Sequence, residues 1–411
     1  MNVRRSAAVL AATVVIGAAT PAVAATPSPS PSVAIPDGLY GSTDPTYDGV
    51  WRQSLALLAQ HTVDVKPAAK AVGWLAGQQC ANGAFAAFRA DTAKACDAKL
   101  VIDTNSTAAA AQTLAALGGH ATAVDKAVTW LKSVQNKDGG WGYTPGGPSD
   151  TNSTSVVVGA LVAAGEKPAE VAGDGEDGKG GKSPYDLLAK WSLTCGADDG
   201  GALAYQPDKK GKLAANADAT AAGVLGSLGK GFVATAGQAP KGVQACADSD
   251  KPLAPQQVAA NGAAYLAEAT QGGFLKSALP GAKDQPDYGN TADAVVALAA
   301  QGSTSAARKP YAWLEKNATA WARQSGPAAY AQLILAAHTM GTDPHDFGGT
   351  DLVKQLNATG PAPQAAEKTT KAADKKDSDD GFGVWWTVGV FLVAGIGIGF
   401  LLSGRNRKQQ P

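Results

Sequence analysis

An excess of charge of either sign is what this 411-residue sequence most plainly lacks: 35 Lys and Arg stand against 35 Asp and Glu, for a formal net charge of zero. A nucleic-acid binder carries a basic face, so the balance argues against that class of partner. Aromatic residues are scarce at 6%, and histidines number four. The 45% hydrophobic content has alanine as its largest part. Small residues at that density suit closely packed helices and suit a β-sandwich poorly. The four cysteines show no Cys-x-x-Cys and have no neighbouring histidine, so a zinc pattern is missing.

The two ends differ from the middle. Arg4 and Arg5 precede an apolar run, Ala7–Ala19, and Ala22-Val23-Ala24 offers small residues at a cleavage point. This is the layout of a secretory signal peptide, residues 1–24, followed by a Pro/Ser-rich linker over 25–43. Phe382–Ser403 has no charge and is long enough to cross a bilayer as a helix, with Trp385 and Trp386 near one end and Arg405, Arg407 and Lys408 beyond the other. The expected topology is a single pass through the cell membrane, the bulk of the chain outside and residues 404–411 cytoplasmic. Residues 358–381 read as a disordered tether. Export makes disulfides the expected state of Cys80, Cys96, Cys195 and Cys246. Three pairings are open, the nearest-neighbour one being Cys80–Cys96 with Cys195–Cys246.

The middle repeats itself. Asp103-Thr-Asn-Ser-Thr107 recurs 47 residues later as Asp150-Thr-Asn-Ser-Thr154. Each opens an Ala/Val/Leu-rich stretch that ends at a glycine 15 residues after the aspartate, Gly118 and Gly165. Asp287 to Gly302 repeats that offset through Asn290 and Thr291, and a weaker copy runs through Asn216, Asp218 and Thr220. A second helix follows, with Gln79 five residues after Trp74 and Gln135 five after Trp130. A glycine and an aromatic then follow: Gly83 and Phe85, Gly139 and Trp141. The glycines stop the helix, and the glutamine and aromatic are expected to lock each loop to the neighbouring repeat.

Gln-x-x-x-Gly-x-Trp (or Phe) closing an outer helix resembles the repeat of the squalene cyclase and protein prenyltransferase superfamily, and Gln135 to Trp141 is a close instance. The resemblance implies an all-α fold over residues 44–357, an α/α toroid of about five to six helix pairs around a central cavity, here joined to a C-terminal transmembrane helix. Closing a ring of pairs buries the faces that one pair leaves open.

The superfamily's catalytic groups are missing from the toroid. Its Asp-x-Asp-Asp appears only at Asp377–Asp380, in the tether, and no Asp-x-Cys supplies zinc ligands. No catalytic residue, metal or required cofactor is therefore expected, and the chain is read as leaning away from an enzyme. Binding is the other use of a toroid. N-capping explains one polar residue at each inner helix start. It does not require the whole pentapeptide twice, so Asp103, Asn105, Thr107 and Asp150, Asn152, Thr154 are expected to gather at one mouth. Asn216, Asp218, Asp287 and Asn290 are expected to complete that ring of hydrogen-bonding groups.

Val101-Ile-Asp103-Thr104, leading into Ala108–Leu117, is similar to the inner-helix starts of the cobalamin carriers, transcobalamin and intrinsic factor. That resemblance implies bound cobalamin as a ligand, although their second, β-rich domain has no counterpart after Gly360. The expected function is a surface receptor that captures a small molecule, a cobalamin-like corrinoid first among candidates, and delivers it to a membrane transporter. The alternatives are a cyclase or prenyltransferase-like enzyme and a structural or protein-binding envelope module.

Overall fold

The computed structural model describes residues 34–173, 181–238, 244–277 and 284–365. The expected signal peptide, tether beyond residue 365, membrane span and cytoplasmic tail lie outside the described residues. Among the described residues no helix is long and apolar enough to cross a membrane.

Among the described residues, twelve α-helices alternate between two roles. The inner set is α1 (Gly49–Thr62), α3 (Thr104–Leu117), α5 (Thr151–Ala163), α7 (Ala217–Ser227), α9 (Tyr288–Gln301) and α11 (Pro327–Met340). Each inner helix packs on the next, and α11 packs back on α1, so the ring closes. These helices are buried nearly all round: α3 buries every residue from Ser106 to Leu114. Alanine and glycine let backbones approach closely on several sides at once, which explains an apolar run without a single hydrophobic stripe.

The outer set is α2 (Ala69–Gly77), α4 (Ala121–Ser133), α6 (Pro184–Lys190), α8 (Pro255–Ala269), α10 (Thr304–Ser325) and α12 (Leu352–Asn357). These are one-sided. In α4 Val124, Ala127, Val128, Trp130 and Leu131 face inward, while Asp125, Lys126 and Lys132 are exposed, the spacing of an amphipathic surface helix. Six pairs result, at the upper end of the expected number.

The loops between pairs carry the locks. Gln135 Nε2 donates to Gly139 O at 2.8 Å and to Val171 O, beyond α5, at 3.3 Å. Gln79 Nε2 does the same to Gly83 O and to Ala123 O of α4, at 3.0 and 2.7 Å. Gly139 sits at φ +92°, and a Cβ there would stand 2.3 Å from Ser183 O, so no other residue fits. Trp141, 1% exposed, donates its indole N–H to Leu131 O at 2.7 Å. Its own backbone N–H goes to Thr154 Oγ1 at 3.1 Å. Phe85 repeats this with Thr107 at 2.9 Å, Leu203 with Thr220 at 2.9 Å and Leu275 with Thr291 at 3.0 Å.

The toroid is longer than residues 44–357, because both flanks close the ring. Tyr40 is fully buried and donates its hydroxyl to Pro361 O at 2.9 Å. Gly41 N–H reaches Thr359 O at 2.9 Å, and Gln364 N–H reaches Lys66 O at 2.9 Å. Buried Arg52 holds the entering strap through Tyr40 O, Thr43 and Asp48, all at 2.9 Å. The first part of the expected tether and the last part of the expected linker are thus ordered, because they satisfy buried polar groups at the seam.

Two disulfides join nearest neighbours, Cys80–Cys96 and Cys195–Cys246, across 16 and 51 residues. In the chain-entropy account loops of those lengths stabilise the fold by roughly 3 and about 4 kcal/mol.

Candidate binding cavity

The pentapeptide at each inner-helix start divides its labour by position. The first residue caps. Asp103 accepts from the N–H groups of Asn105 and Ser106 at 2.8 and 3.0 Å, and from Ser106 Oγ at 2.6 Å. Asp150 accepts from Ser153 N and Oγ at 2.7 and 2.8 Å, and Asn216 from Ala219 N at 2.8 Å. Asp287 accepts from Asn290 N at 3.1 Å and Nδ2 at 2.9 Å, which also turns the Asn290 side chain back onto the cap. The fifth residue locks the preceding loop, and Thr107 and Thr154 are wholly buried there. The expected mouth ring of ten therefore shrinks. Asp103, Asp150, Asn216, Asp287 and Asn290 serve their own helices, and Thr107 and Thr154 serve the loops, because free amides of a first turn outcompete open space for a nearby acceptor.

The second residue after each cap faces the ring axis. In α3, α5 and α7 it is Asn105, Asn152 and Asp218, and these three line a central cavity of about 240 Å³. One turn further along, the sixth residue after the cap shares that face. There Val156 and Ala222 line the cavity apolarly and α9 contributes Asp293. Gln332, the corresponding residue of α11, approaches the Asp293 carboxylate at 3.3–3.4 Å. Trp51, Gln112, Ser155, Leu225 and the segment Lys230–Phe232 complete the wall.

That segment, which follows α7, forms the floor. Phe232 N–H donates to Gln112 Oε1 at 3.0 Å, and Gln112 Nε2 donates to Val156 O at 3.0 Å. The Phe232 ring meets Trp51 edge to face at 5.2 Å. Thr339 Oγ1 donates to Ala234 O at 3.0 Å, and Gly237 N–H reaches Ala299 O at 2.9 Å. The chain thus spans from α3 to α11 and α9 across the end opposite the caps. A Cβ on Gly231 would lie 2.2 Å from Gln112 Oε1, so a larger residue there would push the Gln112 amide off Phe232.

The cavity is rich in acceptors. Asn152 Nδ2 donates to Asp218 Oδ2 at 2.7 Å, which leaves Asn152 Oδ1 buried without a partner, and Asn105 Oδ1 is buried and unpartnered as well. Burial pushes the Asp293 carboxyl up to about 7, the Asp218 carboxylate adds to the rise, Gln332 opposes it and Asp287 adds further. Burial also raises Asp218, against the hydrogen bond from Asn152 and with the charge of Asp287. Beside the α3 cap, burial and then the charge of Asp103 push the Tyr143 hydroxyl up to about 12. His61 and His345 are exposed, and His120 and His338 lie at helix ends away from the cavity.

Sequence reasoning missed Asp293, Gln112, Gln332, Trp51 and Phe232. One signal was available: Asp293 is a lone carboxylate within the apolar run Thr291–Ala300, four residues after the inward-facing Gly289.

Residues 45–209 match the prenyltransferase alpha-alpha toroid domain family. The match supports the superfamily read from the Gln-Gly-Trp repeat, and no comparison speaks for the cobalamin-carrier branch. No curated protein matches the chain. Similar solved structures include one described as a sugar epimerase from a ruminal bacterium, at 13% identity over 75% of this chain and 93% of that one, with a TM-score of 0.45. Another is a protein from Actinoplanes, at 15% identity over 71% of this chain and 100% of that one, with a TM-score of 0.31.

Proposed function

We propose that this chain is a binding protein that captures a small polar molecule in the central cavity of the toroid. The observation that carries the reading is a floored cavity with two buried amide oxygens, on Asn105 and Asn152, that accept no hydrogen bond. A buried acceptor without a partner costs about 1–3 kcal/mol, and a bound donor recovers it. The uncharged stretch 382–403 would hold the protein at the cell surface, and the ligand would pass to a membrane transporter.

The corrinoid candidate fits less well than a smaller molecule. Pockets for drug-sized ligands run from about 300 Å³ upward, and a corrin is larger than a drug, so it could cover the mouth but not enter. A diphosphate could sit beside these carboxylates only with divalent cations between them. A second reading, proton-transfer catalysis, draws on one observation: the Asp293 carboxyl held near 7 beside a second carboxylate.

Native mass spectrometry of the full-length protein, after exposure to cobalamin or to a small-molecule cell extract, tests the binding reading. The expected result is a stoichiometric adduct from the extract that disappears in Asn152→Ala/Asp218→Ala. An adduct with cobalamin that survives those changes would move the site to the rim. No adduct from either source would end the binding reading, and uptake of deuterium from heavy water into an extract compound only when the protein is present would favour catalysis.

A further inference from the structure

We infer that the ligand of the central cavity is an organic cation, a compound whose ammonium group sits among Asp218, Asp293 and the amide oxygens of Asn105 and Asn152. The inference rests on the binding reading above and adds the chemical class of the ligand.

Hydrogen-bonding capacity narrows the class. Asn152 has spent a donor on Asp218, and the reverse amide orientation would set its oxygen against a carboxylate oxygen. Its oxygen is left as an open acceptor, beside one unspent amide N–H. Asn105 Oδ1 is likewise an open acceptor, and ionised carboxylates accept only. Ser155 Oγ already donates to Thr151 O at 2.7 Å, and both polar atoms of Gln112 are engaged with Phe232 and Val156. A neutral polyol could trade hydrogen bonds with the unspent amide N–H groups and with Lys230, but it brings the two carboxylates no countercharge. An ammonium group donates to the open acceptors and supplies that charge as well.

Charge points the same way. Facing Asp293 are Asp218 on the neighbouring α7, Asp287 at the start of its own helix, and the neutral Gln332 of α11. Lys230, on the floor segment, is the one basic residue among those that line the cavity. Among the described residues no Lys or Arg forms an ion pair with Asp218 or Asp293. Two carboxylates in a partly apolar space are costly until a cation joins them. Trp51 and Phe232 line the same space, and aromatic rings favour a desolvated ammonium.

The experiment is calorimetric titration of the full-length protein with matched pairs: putrescine against 1,4-butanediol, and ethanolamine against ethylene glycol. An amine is expected to bind at least about tenfold tighter than its neutral isostere, a difference of about 1.4 kcal/mol. Its affinity is expected to rise about tenfold from pH 6 to pH 8, as a carboxyl titrating near 7 ionises. Asp293→Asn should flatten that rise, with cooperative unfolding retained as the control for folding. Equal affinity for both members of each pair would overturn the cation and leave the binding reading in place. No binding by either series, alongside a stoichiometric adduct from the cell extract, would also overturn the cation alone. Absence of both would remove the inference and the binding reading together.

Discussion

Helices α3 and α5 on one side of the ring, and α7 and α9 on the other, share a backbone plan but differ in what they show to the axis. All four are capped by Asp or Asn, and all four hold a threonine that receives the preceding loop. Towards the cavity the first pair presents the amides of Asn105 and Asn152, and the second presents the carboxylates of Asp218 and Asp293. The scaffold positions repeat because every joint must satisfy the same backbone groups. The axial positions touch no joint and are free to diverge, so the asymmetry between the two sides is the part of the molecule available for recognition.

The largest effect should come from the joint itself. Trp141→Ala removes a buried indole and the hydrogen bond to Leu131, and should cost about 3–5 kcal/mol. Leu203→Ala, the same position on the other side, should cost about 2–5 kcal/mol. Urea titration measures both, and a loss below 1 kcal/mol for Trp141→Ala would show that the loop is not the lock.

Asp293→Asn should act in the opposite direction. The folded carboxyl titrates at about 7, above the ordinary value near 3.9 of an unfolded chain. Its contribution is therefore fully present below about pH 4 and is lost as pH rises towards 7. Asparagine mimics the protonated form at every pH, so the variant should melt about 2–8 °C higher at pH 8 and no higher at pH 4. Thermal melts across that range check the sign, and a gain that is independent of pH would break the assignment.

The smallest effects separate a cap from its neighbour two residues on. Asp103→Ala should cost about 1 kcal/mol as a lost N-cap, with the ligand adduct unchanged. Asn105→Ala removes a buried acceptor that no group meets, and should stabilise the empty protein by about 1 kcal/mol while weakening the adduct. Melting and native mass spectrometry on the two variants give the contrast, and a cap variant that also loses ligand would merge the two roles.

Much of the fold was legible because its joints leave local marks. The 47-residue spacing of Asp103 and Asp150, and Gln135 with Gly139 and Trp141, mark helix starts and loop locks that depend on neighbours in the chain. The last pair was harder to read, since α11 starts at Gly326-Pro327 without an Asp or Asn cap. The ends of the toroid were misread as linker and tether because Tyr40 and Pro361 meet only across the closed ring.

Of the ten mouth residues expected, three face the cavity, and the reason is rotational. A helix turns its side chains by 100° per residue, so a polar pentapeptide points in several directions, and only packing against two neighbours decides which is inward. The repeat, the caps and the loop locks are written in the chain alone, since each is a contact between residues close in the chain or one repeat apart. The tertiary structure alone decided the cavity, because ring closure brings Asn105, Asn152, Asp218 and Asp293 to one axis and lays residues 230–238 beneath them, contacts made across separations that local chemistry does not encode.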